Sequence, residues 1–310
     1  MLLAEYAITP DVFDATSYVN EDLCAARLEL IREVMLNEGV IRDLRNGSWS
    51  NLFRSDHRSW HRRAKELAKK LASQNRLRPF VPQLAVKPSV DSEWCDEALV
   101  THGIEPLTGI IVTDTISDGY IGNPLVSRVD RLNSAPWWSG RKPSMRLNRT
   151  FTDYLNALSL VLRHANSIMF IDPHIDPTQP KYNDFIELIK RAGNRNPLPL
   201  IEIHRVCYRG SGQHRKILDL QQLEASFRNE LTQPLQRVGL TAEIFVWDDF
   251  HDRYVLSNLV GIALLNSLDT TIMQNSTTTW TRLGHKDRDD VQREFDPASN
   301  QHKLKKKFAI

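Results

Sequence analysis

The apolar residues of the N-terminal half recur mainly at helical spacing. Between residues 18 and 38 they lie on one helical face and Gly39 follows, so this segment is predicted to be a helix that ends there. Residues 56–76 are predicted to form a second, very basic helix, which the prolines at 79 and 82 end. A short helix is expected over Trp94–Val100, and Gly109–Thr113 is predicted to be a strand.

The C-terminal half alternates between helical stripes and short apolar runs. Helices are predicted near 151–162, after Pro180 and over 215–238. Strands are predicted at 167–172, 198–204 and 242–247, with two more at 251–257 and 260–265 joined around Asn258. This order is typical of an α/β fold with a mixed sheet flanked by helices, preceded by a largely helical α/β extension. We therefore expect two domains, a helical or mixed basic region at 1–147 and an α/β domain at 148–310.

Composition and charge narrow the class of protein. The chain has 310 residues, 41% of them hydrophobic, which predicts a globular protein with a large core. No run of 18 apolar residues and no secretion-type leader is present, so a cytoplasmic location without membrane contact is expected. The three cysteines, Cys24, Cys95 and Cys207, lack C-x-x-C spacing and predict neither disulfides nor a zinc site. No metal or other cofactor is expected.

Basic residues cluster in two segments, although the net charge is only +2. Residues 54–78 hold nine Lys or Arg against Asp56 and Glu66, and residues 128–149 hold six against Asp130. The second cluster also contains two adjacent tryptophans. Cations beside aromatic rings suit a phosphate backbone with unstacked bases, while a solvated surface is the equally weighted alternative. The predicted nucleic-acid-binding residues are Arg58, Arg62, Arg63, Lys69, Lys70, Arg128, Arg131, Trp137, Trp138, Arg141 and Lys142. The basic run 303–307 is expected to be a solubilising chain end.

The segment His251–Asn258 carries the clearest chemistry. In an extended chain His251 and Arg253 lie on one face, which places a nucleophile beside a phosphate-binding cation. Asn266 and Ser267 follow downstream as further phosphate ligands. Acids and histidines also end the predicted strands, where ligands bind in open α/β sheets. These possible accessory residues are Asp172, His174, Glu202 and His204, each of which also has an ordinary structural explanation.

These motifs resemble the phospholipase-D-like superfamily, in its single-motif, nuclease-type form. The family's H-x-K-x4-D pattern corresponds to His251, Arg253 and Asn258, and its strand ending in I-x-D-P-[YH] corresponds to Ile171–His174. The resemblance covers residues 151 to about 275 and implies a phospholipase-D-like α/β fold. It also implies attack by His251 on phosphorus, a phosphohistidine intermediate without metal, and phosphate binding by Arg253 and Ser267. A single motif implies a homodimer in which the two His251 side chains face each other.

The sequence departs from that pattern at two positions. Arg253 keeps the charge of the family's lysine, whereas Asn258 removes its carboxylate. The main prediction is a metal-independent phosphodiesterase, a nuclease-type hydrolase acting on DNA or RNA, with a role in bacterial antiviral defence or repair and with a protein activator left open. The alternative is an inactive module that binds nucleic acid, an anionic surface or a partner protein. Metal-dependent hydrolysis at Asp172, His174, Glu202 and His204 is a third hypothesis.

Overall fold

The structure is a computed structural model that describes residues 2–54, 58–210 and 212–310. The chain forms two compact units, Leu3–Arg141 and Lys142–Ile310. Each unit is an α/β structure with its own sheet. None of the helices in the described residues is long and apolar enough to span a membrane.

The N-terminal unit is built on a five-stranded parallel sheet. Its strands are β1 (Ala4–Ile8), β2 (Gly39–Asp43), β3 (Leu77–Phe80), β4 (Gly109–Val112) and β5 (Val126–Arg128). They lie in the order β3-β2-β1-β4-β5, and every neighbouring pair is parallel. The helices are α1 (Glu21–Asn37), α2 (Leu44–Asn51), α3 (Arg62–Ser73), α4 (Asp91–Ile104), α5 (Asp114–Ser117) and α6 (Pro136–Ser139).

This unit contains more sheet than the sequence predicts. Only β4 was expected. Strands β1 and β2 carry charged residues, which break the apolar pattern that usually indicates a buried strand. Glu5 and Arg42 are both almost fully buried and pair with each other at 2.8 Å. The predicted helix at 18–38 is confirmed by α1. The helix predicted over 56–76 begins at Arg62 as α3, and its residues 56 and 57 lie outside the described residues.

The C-terminal unit is built on an eight-stranded mixed sheet. Its strands are β6 (Ser144–Asn148), β7 (Ser167–Ile171), β8 (Leu200–Val206), β11 (Ala242–Trp247), β12 (Tyr254–Ser257), β13 (Gly261–Leu264), β14 (Thr277–Arg282) and β15 (Leu304–Ala309). The order is β15-β11-β8-β7-β12-β13-β14-β6. Strand β8 runs parallel to β7 and β11, and the other neighbours are antiparallel. Two short strands, β9 (Tyr208–Arg209) and β10 (Lys216–Ile217), form a separate pair.

Four helices accompany this sheet. They are α7 (Phe151–His164), α8 (Asn183–Lys190), α9 (Leu220–Gln236) and α10 (His285–Glu294). Helix α8 packs against both α7 and α9, because its buried face carries Phe185, Ile186, Leu188 and Ile189. The mixed sheet flanked by helices that the sequence predicts is confirmed.

Two details of the predicted strands are corrected. Strand β12 begins at Tyr254, so His251 and Arg253 precede it instead of alternating along it. The basic run near the chain end is not a free tail, because β15 pairs along the whole of β11, from Glu243 opposite Ala309 to Trp247 opposite Leu304.

Candidate phosphate-binding site

Asp172 is the centre of a polar cluster at the carboxyl end of β7. Its side chain is fully buried and accepts hydrogen bonds from the backbone N–H of His174 at 3.0 Å and of Leu268 at 3.1 Å. It also accepts one from the hydroxyl of Ser267. Tyr182 contacts the same hydroxyl at 2.7 Å. The buried carboxylate thereby fixes the Asn266–Ser267 segment against the end of β7, with Asn266 half-buried beside it.

Arg253 lies beside this carboxylate. Its Nε is 3.9 Å from Asp172 Oδ1, and its Nη1 donates to the backbone carbonyl of His251 at 3.2 Å. The side chain is 27% exposed, so part of the guanidinium faces solvent. Its Nε is buried and has no hydrogen-bond partner among the described residues, so the guanidinium keeps donors for an anion.

A cavity of about 270 Å³ adjoins the cluster through His174. Cations predominate in its lining, which comprises His174, Asp176, Gln179, Lys181, Arg205, Tyr208, Arg209 and Gly210. Asp176 is already paired with Arg209, and Lys181 lies 3.3 Å from Asp269. Burial lowers the pKa of His174, and the charges of Arg253, Arg205 and Lys181 lower it further against the opposing effect of Asp172.

Arg205 is the functional candidate that the sequence did not reveal. It is 2% exposed, and its guanidinium donates to the backbone carbonyls of Val206, Ile175 and Tyr208. Among the described residues no carboxylate is hydrogen-bonded to it, and burial lowers its pKa to about 10. A buried cation that lines a cavity without a hydrogen-bonded carboxylate favours binding of an anion there, although Asp176 lies in the same lining. Its position in β8, on the face shared by Ile201 and Ile203, was the available signal.

His251 lies in the segment before β12 and is 73% exposed. Its Nε2 is 3.3 Å from Arg215 Nη2 and 3.9 Å from Asp249 Oδ1. Because arginine can only donate, this contact requires an unprotonated Nε2. Asp249 also accepts from Arg215 Nη1 at 2.8 Å and from the hydroxyl of Tyr208, which lines the cavity. Burial alone would raise the pKa of Asp249, but these hydrogen bonds hold it below its ordinary value.

Asn258 does not join this cluster. Its Oδ1 accepts from the backbone N–H of Asn166 at 2.8 Å, beyond the end of β12 at which Ser257 pairs with Ile168. Asp172 follows Ile171, which pairs with Tyr254 at the other end of the same two strands. The antiparallel pairing therefore separates Asn258 from the phosphate-binding candidates.

His204 and Glu202 also lie apart from Asp172. His204 pairs with Ile171 in the parallel register, so it occupies the sheet face opposite to Asp172. Its ring stacks on Phe245 at 4.5 Å and accepts from Trp247 Nε1 at 3.1 Å, while Glu202 lies 3.2 Å from its Nε2. No set of three His, Cys, Asp or Glu side chains in the described residues is arranged to hold a metal ion. The cluster required by the metal-dependent hypothesis does not form.

The predicted nucleic-acid-binding residues differ in their surroundings. Lys69 and Lys70 are exposed on α3, as are Arg62 and Arg63, which lie 3.4 Å from Glu66 and 3.6 Å from Glu29. Three others are held in ion pairs, Arg58 with Asp91, Arg128 with Asp130 and Arg141 with Glu38. Arg131 and Lys142 are exposed.

The two tryptophans are not free surface rings. Trp138 is 2% exposed beneath the guanidinium of Arg141, and the ring of Trp137 lies 5.8 Å from that of Tyr6. The ring of Trp138 is therefore not open to base stacking, which the sequence had suggested, whereas Trp137 is half-buried.

The comparisons with known proteins give distant similarities. No family model matches the chain, and no curated protein matches it. Among solved structures, polyphosphate kinase from Porphyromonas gingivalis is similar over 51% of this chain and 26% of its own, at 11% identity and a TM-score of 0.34. The chain thus spans about a quarter of that kinase. The archaeal chromatin protein TrmBL2, whose structure shows a novel mode of DNA binding, is similar over 79% of this chain and 84% of its own, at 11% identity and a TM-score of 0.30. Neither similarity is close enough to carry those proteins' chemistry to this chain.

Proposed function

We propose that the C-terminal unit binds phosphodiesters of nucleic acid and hydrolyses them through a phosphohistidine intermediate on His251. The observation that carries the proposal is the position of Arg253, whose Nε lies 3.9 Å from the carboxylate that also binds Ser267, near a cavity lined by Arg205, Arg209 and Lys181. Oriented cations at the carboxyl end of a strand suit the negative charge that a phosphodiester carries and that grows during attack.

The chemistry requires two imidazoles. The Nε2 lone pair of His251 attacks phosphorus, a P–N bond forms, and the P–O bond to the leaving strand breaks as a second imidazole protonates the leaving oxygen. That imidazole then removes a proton from water, whose oxygen attacks phosphorus and breaks the P–N bond. Arg215, 3.3 Å from Nε2, has to move aside for the attack.

Two histidines are candidates for the second imidazole. The resemblance implies His251 of a second copy in a homodimer. His174 of the same chain is the other candidate. It lines the cavity beside Asp172, and the charge of Arg253 lowers its pKa. His174→Ala separates them, because it should still cleave if the second imidazole is His251 of another copy and should lose cleavage if it is His174 of the same chain.

The decisive experiment measures cleavage of labelled single- and double-stranded DNA and RNA in EDTA. Wild type, His251→Ala and His214→Ala are compared, since His214 is an exposed histidine of a neighbouring loop and serves as the matched control. We expect His251→Ala to lose at least about a thousandfold in rate, and His214→Ala to match wild type. Mass spectrometry of the rapidly quenched enzyme should find the nucleotide attached to His251. Equal cleavage by wild type and His251→Ala would show that His251 is not the nucleophile.

A binding module without catalysis is the second candidate function. It is favoured by the high exposure of His251 and by the distance of Asn258 from the cluster. This reading expects no cleavage by any variant in EDTA, and nucleic-acid binding that salt weakens equally in wild type and His251→Ala. Loss of that binding in Arg253→Ala would then place the bound phosphate beside Asp172. The roles in defence or repair and the protein activator remain predictions.

A further inference from the structure

The parallel sheet of the N-terminal unit contains a crevice of the kind that binds ligands in α/β folds. From β1 the chain continues to β2 on one side, whereas β4, the other neighbour of β1, continues to β5 on the opposite side. The carboxyl ends of β1 and β4 therefore form a topological switch point. A cavity of about 590 Å³ lies there and is lined by Asp11 after β1 and by Thr113 after β4. This volume is typical of sites for small molecules.

The lining of this cavity is acidic, which disfavours anionic ligands. Its lining contains the carboxylates of Asp11, Asp91 and Asp96, and no described Lys or Arg lines it. Asp91 is paired with Arg58 at 2.7 Å. Asp96 is exposed and lies 2.7 Å from the hydroxyl of Tyr120. The cavity would repel a phosphate or carboxylate and attract a cation.

Asp11 is the residue that points to a missing ligand. It is 5% exposed, and its Oδ2 accepts from both the backbone N–H and the hydroxyl of Thr113, which ties the end of β1 to that of β4. Its Oδ1 is buried and has no hydrogen-bond partner among the described residues. Burial raises the pKa of Asp11 against the opposing effect of its hydrogen bonds. A buried carboxylate of this kind is costly unless a cation or donor completes it.

The arrangement of the acids distinguishes between cations. The described residues contain no set of three His, Cys, Asp or Glu side chains placed to hold one metal ion, so the carboxylates of the cavity do not converge on a point. Separated negative charges along the lining of the cavity instead match a ligand with separated positive charges.

We propose that the crevice between β1 and β4 binds a small organic polycation of the aliphatic polyamine class, with one ammonium group on Asp11 and another on Asp96. An ammonium group supplies several N–H donors, which Asp11 Oδ1 lacks. The apolar stem of such a ligand would lie along Ile116 and Val90, which also line the cavity.

The test is isothermal titration of the full chain with spermidine at fixed ionic strength. Wild type, Asp11→Asn and Asp96→Asn are compared with Glu66→Gln, an exposed acid on α3 outside the cavity. We expect saturable binding at one site, at least tenfold weaker binding in each of the two aspartate variants, and unchanged binding in Glu66→Gln. Because Asp96 is exposed, its variant keeps the test valid if Asp11→Asn folds poorly.

Three outcomes would overturn the proposal. Spermidine that does not bind wild type would remove it directly. Equal weakening in Glu66→Gln would show nonspecific attraction to acidic surface. If Mg²⁺ or Mn²⁺ bound more tightly than spermidine, competed with it and failed to bind Asp11→Asn, the cavity would be assigned to a metal ion instead. None of these results depends on whether His251 is catalytic.

Discussion

Asp172 and Arg253 lie side by side at the carboxyl end of β7, with 3.9 Å between Oδ1 of the carboxylate and Nε of the guanidinium. The same carboxylate accepts three hydrogen bonds, from Ser267, Leu268 and His174. One buried acid therefore fixes the loop that carries Ser267 and lies next to the candidate phosphate-binding cation.

Asp172→Ala should destabilise the C-terminal unit strongly. The change leaves three donors without an acceptor in a buried setting, which costs about 3 kcal/mol or more in the free energy of unfolding. Urea denaturation measures the loss. Asp252→Ala is the control, because Asp252 is an exposed acid one residue from Arg253 and should change stability by less than about 0.5 kcal/mol. Equal effects of the two changes would contradict the role of Asp172.

Phosphate binding by the C-terminal unit should strengthen as the pH falls. Burial and the neighbouring cations keep His174 neutral at pH 7 because they lower its pKa, and a bound phosphate favours the protonated ring. Affinity for a short oligonucleotide, whose phosphodiesters keep their charge in this range, should therefore rise below about pH 6.5, the ordinary value for histidine. Titrations between pH 5.5 and 7.5 test this, and His174→Gln should flatten the dependence.

The lowered pKa of His174 also makes the stability of the folded unit depend on pH, but stability falls where phosphate affinity rises. Because the folded state has the lower pKa, the unfolded chain binds the extra proton more readily, so the stability of the unit without phosphate should fall as the pH drops below about 6.5. The contribution should be absent in His174→Gln. A pH dependence identical in the variant would show that other groups cause it.

Glu5→Ala should destabilise the N-terminal unit. Glu5 is 1% exposed and binds Arg42 Nε at 2.8 Å and Arg78 Nη1 at 2.9 Å. Its removal leaves two guanidinium groups without their shared carboxylate, which costs about 3–5 kcal/mol for a buried pair. Thermal and urea unfolding provide the measurement. The exposed Glu66→Ala should be close to neutral, and a similarly small effect of Glu5→Ala would contradict the prediction.

The exposed lysines of α3 should contribute to nucleic-acid binding, whereas Trp138 should not. Lys69→Ala with Lys70→Ala should weaken binding at low salt and reduce the salt dependence by about one phosphate contact per lysine. Trp138→Ala should lower stability by about 3–5 kcal/mol because its ring is buried, with no change in affinity for the folded fraction. Anisotropy titrations at several salt concentrations separate the two. Unchanged binding in the double lysine variant would leave α3 an ordinary solvated helix.

The C-terminal half was predictable from sequence because its elements are long and regularly patterned. Strand β11 matches its predicted bounds, and α7, β7 and β8 lie within a few residues of theirs. The N-terminal sheet was not predictable in the same way. Its strands are three to five residues long, and three of them contain charged residues whose partners come from distant parts of the chain, namely Glu5, Arg42 and Arg78. In the sequence, a charged residue indicates an exposed position unless the residue that pairs with it is known.

The candidate site was only partly predictable for a similar reason. The motif indicates which side chains suit phosphate chemistry, but strand pairing decides which of them meet. Asp172, Arg253 and Ser267 come together because β7, β12 and β13 are adjacent, while the same pairing sends Asn258 to the far end. Arg205 was missed because a fully buried arginine is rare, and only its place among apolar residues of β8 indicated burial.

The lysines of β15 protect the sheet from association. Strand β15 ends the eight-stranded order, so its outer backbone groups form an open edge. Lys305 and Lys307 are exposed on this strand, whereas Phe308 is buried toward the unit. Positive charges on an edge strand repel the same edge of another molecule and so disfavour edge-to-edge pairing of two sheets. The basic run therefore acts as a barrier to aggregation that is built into the fold, and replacing both lysines with valine should convert this edge into a surface for self-assembly.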